Sequence, residues 1–173
     1  MSDQSEPGSN PVVVTPGIGH VRLGPLGTHL RAGEFLAAAE LLQERRERFT
    51  PVAAFLCCRS VELTLKAFLL ARGNTYDQMK EFGHDIVHLL SEAHARGLEA
   101  VVLLSGDELR VLRQANCDYM QNRLAYFDLF STMSHYPNQP ELGALTSVAA
   151  RLLTQVERGC YESADGPWNP LAP

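Results

Sequence analysis

The stretch that decides the fold is TPVAAFLCCRSVELTLKAFLLARG, Thr50 to Gly73. It opens with a capping threonine and a first-turn proline and closes on a glycine, the start and stop signals of a helix. At about 1.5 Å per residue the segment makes a rod roughly 30 Å long. It is apolar almost all the way round, interrupted only by Arg59, Glu62 and Lys66, so it reads as the buried central helix of a helical protein. Glu62 lies three residues after Arg59 and four before Lys66, and both cations reach its carboxylate along one edge. Arg59, Glu62 and Lys66 therefore read as a structural charge network on a wet seam. The same three charges, each costing about 2 to 4 kcal/mol in a bilayer, argue against Val52–Leu70 as a membrane span.

Working outward, the segment from Thr28 has helical spacing, with Leu30, Ala37, Ala38, Leu41 and Leu42 on one face and Thr28 as the expected cap. It ends in Arg45, Arg46, Glu47 and Arg48, read as a solvated helix end. Residues 1–27 hold four prolines and five glycines, which block a long helix or a paired strand, and make an arm. On the other side, Asn74 to Gly83 is expected to be a loop. Asp85 opens a helix with Ile86, Leu89, Leu90 and Ala93 inward and Gly97 as its stop. Val101–Leu104 is a packed connection, because a lone strand has no partner. Ser105 or Asp107 caps a fourth helix reaching to about Phe130. Pro140 begins a fifth, with Leu142, Leu145, Ala149, Leu152, Val156 and Cys160 on one face. Residues 163–173, with Trp168, form a tail. The result is an all-α domain of about five helices over residues 28–162.

The 173 residues carry a net charge of -5 and are 45% hydrophobic, which suits one compact domain. This balance argues against a broad positive field for nucleic acid or anionic lipid. Only Lys66 and Lys80 are lysines, so any phosphate contact falls mostly to bidentate arginine. Cys57 and Cys58 are adjacent and Cys117 and Cys160 isolated, a pattern without zinc spacing that reads as small buried hydrophobes in a reducing compartment. Residues 1–10 lack the basic and apolar regions of a signal peptide, and a cytoplasmic protein is expected.

Chemistry concentrates on the fourth helix, where Leu109, Leu112, Asn116, Tyr119, Arg123, Tyr126 and Phe130 form one stripe. The neighbouring stripe, Cys117, Met120, Leu124 and Phe127, is expected to supply the core contact, leaving Asn116, Tyr119, Arg123 and Tyr126 at its margin as the candidate ligand-binding set. Arginine between tyrosines can stack, hold a phosphate or ribose, or pair with an acid such as Glu62 across a helix interface. His84, His88 and Glu92 share one helix side, but the sequence is not His-Glu-x-x-His and nothing completes a zinc site. No metal and no cofactor is expected. Gly17-Ile18-Gly19 lacks the strand–helix frame of a phosphate loop, and there is no Gly-x-Ser-x-Gly elbow.

Three segments in order, Phe55–Gly73 with its Glu-x-x-x-Lys-Ala at Glu62 to Ala67, Gly83–Leu90 with its His-Asp-x-x-x-Leu-Leu, and Asn116-x-x-Tyr119-x-x-x-Arg123, resemble the HEPN superfamily over residues 28–160. The resemblance implies an antiparallel helical bundle that commonly dimerises. Its members act as metal-independent ribonucleases, toxin components, partners of nucleotidyltransferases, or nucleotide and RNA binders. Catalytic members place a histidine after an arginine with four to six residues between them. Arg123 matches the arginine, but Leu124 follows it and the histidine window holds Asp128, Leu129 and Phe130. His135 lies farther on. The expectation is a non-catalytic module that dimerises and binds a partner protein, nucleotide or RNA near Arg123. The alternatives are a ribonuclease in which His135 or His84 folds back toward Arg123, and a purely structural dimeric scaffold.

Overall fold

In a computed structural model, residues 24–44, 50–121, 123–124 and 140–164 are described. Among them the regular structure is helical throughout: α1 (Pro25–Gln43), α2 (Thr50–Ala71), α3 (Tyr76–Glu81), α4 (Ile86–Ala95), α5 (Gly106–Met120) and α6 (Leu142–Ala164), with a 3-10 turn at Leu98–Ala100. The packing centres on α2, which lies against α1, α6, α4 and α5. Its Cys57, Cys58, Val61, Leu65 and Leu69 are fully buried, as the all-round apolar pattern predicts. Both adjacent cysteines are core atoms, and Cys160 joins them from α6. Burial pushes the Cys160 thiol up to about 11 and raises those of Cys57 and Cys58, so all three stay protonated near neutrality.

The signals written into the sequence set most of the boundaries. Gly73 and Gly97 take positive φ after α2 and α4, where a side chain would be strained. Asp85 caps α4 by accepting from the Val87 and His88 amides, and Ser105 and Glu108 form a reciprocal capping box on α5. The last helix starts at Leu142, two residues after the expected Pro140, and of its expected face Leu145, Ala149, Leu152, Val156 and Cys160 are buried while Leu142 is partly buried. Val102 and Leu104 are buried while Leu103 is exposed, so the connection packs without a strand among the described residues.

Several expectations are corrected. The first helix starts at Pro25, whose fixed φ suits the first turn, and Thr28 bonds back to the Gly24 carbonyl within it instead of capping it. The segment expected as a loop contains α3, initiated by a capping box in which Thr75 accepts from the Gln78 amide and Gln78 reaches back to the Thr75 amide. The helix expected to reach Phe130 stops at Met120; the Arg123 amide bonds to the Asp118 carbonyl five residues back, closing the helix end. The arm before Gly24, the basic run 45–48 and the tail beyond Ala164 lie outside the described residues. No helix of the described residues is long and apolar enough to cross a membrane.

Candidate functional site

The polar residues of α2 meet α4 and α5 at one buried carboxylate. Glu62 is fully buried, which its charge would forbid without compensation. Lys66 Nζ donates to Oε1 at 2.7 Å, and Arg59 Nη1 lies 2.9 and 2.8 Å from the two oxygens, as the three- and four-residue spacings predict. Tyr119 on α5 donates its hydroxyl to Oε2 at 2.5 Å. His84, just before the Asp85 cap, places Nδ1 3.1 Å from Oε2 and 3.3 Å from Arg59 Nη1. Lys66 also donates to the Gly83 carbonyl at 2.7 Å, fixing the turn that carries His84. Burial alone would raise the Glu62 carboxyl, but the bonds from Lys66 and Tyr119 and the charge of Arg59 hold it below the usual carboxylate range. The same burial, with the neighbouring carboxylate, pushes the Tyr119 phenol up.

Asn116 is one turn earlier on α5 and equally committed. Its Oδ1 accepts from the Ile86 amide at 2.8 Å and its Nδ2 donates to Asp85 Oδ1 at 3.1 Å, so it occupies an otherwise orphaned first-turn amide of α4. Hence the expected orientation of α5 is reversed within the helix. Asn116 and Tyr119 are buried with Leu112 and Ala115, whereas Cys117 and Met120 are exposed; Leu124, past the helix end, is buried in the core as expected, and Phe127 lies outside the described residues. Hydrogen bonding supplied by α2 and α4 makes the polar stripe the one that can enter the core.

Arg123 does not pair with Glu62. Its Nη1 is 3.4 Å from Oδ1 of Asp118, a buried acid, and its side chain is 52% exposed. Tyr126 and His135 lie outside the described residues. Of the expected binding set the structure thus holds Asn116 and Tyr119 as packing links and presents Arg123. His84 joins Glu62 and Arg59, and its ring stands edge-on to Tyr119 with centroids 6.0 Å apart. Its place beside the cap was legible from Gly83-His84-Asp85, but its carboxylate partner comes from another helix. His88 is 4.0 Å from Glu92, and no group of three metal-ligating side chains occurs among the described residues.

Chemically, Glu62 is ionised and saturated, and Lys66 and Tyr119 are spent on it. The groups that reach solvent are Arg59 at 30%, His84 at 57% and Arg123. All three are side-chain types able to donate to a phosphate, and Arg59 and His84 are held against the buried Glu62 carboxylate. No curated protein and no solved structure matches the chain. A family model for the HEPN domain matches residues 29–158, most of the chain, and the helical architecture agrees with it. The chain belongs to the HEPN domain family.

Proposed function

We propose that the protein is a non-catalytic HEPN module that self-associates and binds RNA or a nucleotide through phosphate contacts from Arg123, with Arg59 as a further cation and His84 as a further hydrogen-bonding side chain. The observation that carries this reading is the saturation of Glu62: the acid–base groups around it are bonded to one another, while the arginines keep exposed guanidinium surface. The sequence window that would hold the histidine of a catalytic member contains none. Phosphate binding needs only fixed positive charge and donors, and catalysis through a ribose 2′-hydroxyl needs in addition a base that is free to move a proton.

The test is titration of labelled RNA and of ATP into the protein, read by fluorescence anisotropy. Arg123→Ala is expected to weaken binding about tenfold, the worth of one charge-assisted contact, with the thermal midpoint nearly unchanged. A large loss of stability would instead make Arg123 structural. Absence of binding to every nucleotide and RNA offered would favour the scaffold reading.

One observation favours a second reading. If His84 donates Nδ1–H to Glu62, its Nε2 is left as a free acceptor in the arrangement of an oriented general base. Incubation with total RNA in EDTA, beside His84→Ala, Arg123→Ala and His135→Ala, decides between the two. Cleavage that any of these abolishes would replace the binding module with a metal-independent ribonuclease.

A further inference from the structure

A groove of about 290 Å³ runs between α4 and α5. The Asn116–Ile86 bond fixes where the two helices meet, and the groove opens farther along the pair, lined by residues 87–94 of α4 and 109–113 of α5. Leu90 and Leu112, both buried, and the half-buried Leu109 form its floor, and Val87 at its edge is 38% exposed. Apolar surface is thus left in contact with water between two rigid helices, in a space near the lower end of the range of about 300 to 1,000 Å³ that small ligands occupy.

The polar groups that line it are Ser91 and His94, one turn apart on α4, and Arg113 on α5. None of these three side chains makes a hydrogen bond or an ion pair among the described residues. Neighbouring arginines are spent: Arg110, one turn earlier on α5, is tied to Asp107 at 2.6 Å, and Arg151 to Glu108 at 2.7 Å. No acid lines the groove among the described residues, in a chain whose net charge is -5. Donors gathered without acceptors in an acidic protein select an anion, and the leucine floor selects one that carries a hydrocarbon or aromatic body. The single guanidinium, planar and able to grip two oxygens at once, matches one carboxylate. We propose that the α4–α5 groove binds a small carboxylic acid in its ionised form, with its apolar body over Leu90, Leu109 and Leu112 and its carboxylate on Arg113, beside the donors of Ser91 and His94. The groove shares no residue with the Glu62 cluster, so the proposal stands apart from nucleotide or RNA binding there.

The probe is phenylbutyrate, titrated into the full chain and followed by amide chemical shifts. Phenylbutanol keeps the body and lacks the charge, and acetate keeps the charge and lacks the body. Expected are saturable shifts concentrated at the amides of α4 and α5 that border the groove, about tenfold weaker binding of the alcohol, and no saturation by acetate. Arg113→Gln should weaken phenylbutyrate about tenfold and leave phenylbutanol unchanged, a split that a merely structural role for Arg113 would not give. Ser91→Trp, at an exposed position, fills the groove and should remove the response to both compounds while the circular-dichroism melt is retained. If that variant loses its melt, the Arg113→Gln comparison carries the test alone. Absence of saturable shifts overturns the proposal, and so do shifts that saturate elsewhere in the chain. Equal binding of acid and alcohol, or an Arg113→Gln protein that binds the acid as the wild type does, overturns it as well, since the groove would then be an apolar surface without selection for an anion.

Discussion

At the scale of single residues, Glu62 governs the polar cluster. Glu62→Ala should cost about 3 to 5 kcal/mol in urea unfolding, because Lys66 and Arg59 would lose the anion that compensates their burial. Tyr119→Phe should cost less, about 1.5 to 3 kcal/mol, since it deletes one bond to a charged acceptor and keeps the ring against Phe55. Both substitutions act on stability, whereas Arg123→Ala acts on ligand binding, and the contrast separates the packed side of the site from the presented one. The pH dependence has two contributions of the same sign. The folded-state pKa of Glu62 lies below its unfolded value, so its contribution is present above the ordinary glutamate range and is lost as pH falls through the folded value. His29 on α1 is buried with Nδ1 unpartnered, and burial, opposed by Glu157, lowers its pKa. The unfolded chain therefore takes up a proton before the folded one does. Urea midpoints should fall as pH drops from the ordinary histidine value toward its lower folded value, and His29→Leu should flatten that part of the curve.

At the scale of elements, α5 is held by its side chains more than by its intrinsic preference. Asn116 is the link between the start of α4 and the middle of α5, and Asn116→Ala would leave the Ile86 amide buried without an acceptor. The expected loss is about 1 to 3 kcal/mol in urea unfolding, accompanied by faster hydrogen exchange at Ile86 than elsewhere in α4. The capping boxes show how far local sequence reaches. Ser105 stands before a periodic helix and was readable as one of two caps, with its Glu108 partner shown only by the structure, whereas Thr75-x-x-Gln78 precedes only six helical residues, too few to show a period. The exit of α5 was not legible for a related reason. The spacing of Tyr119, Arg123 and Tyr126 continues past Met120, and a turn closed by the Asp118 carbonyl interrupts the helix that this spacing suggests.

For the whole molecule, the proposed self-association predicts a sedimenting mass twice that of the 19.1 kDa chain at micromolar concentration, and a monomer mass there would contradict it. The all-α class, the central position of α2, the burial of its cysteines and the inward face of α6 were fixed by the sequence by itself, because each follows from periodicity and from caps acting within one segment. The Arg59–Glu62–Lys66 network was legible for the same reason, since helical spacing alone brings those charges together. What only the tertiary structure decided is how that network is completed and which stripe of α5 faces it. The seam read as wet keeps Arg59 and His84 in contact with solvent but holds Glu62 out of water, bonded to Tyr119 and His84, residues 57 and 22 positions away. Hydropathy favoured burying Cys117 and Met120, yet Asn116 and Tyr119 went inside, since an amide of α4 and a carboxylate of α2 were there to satisfy them. Periodicity is a property of one helix; the hydrogen-bond partners that make a polar side chain buriable belong to its neighbours.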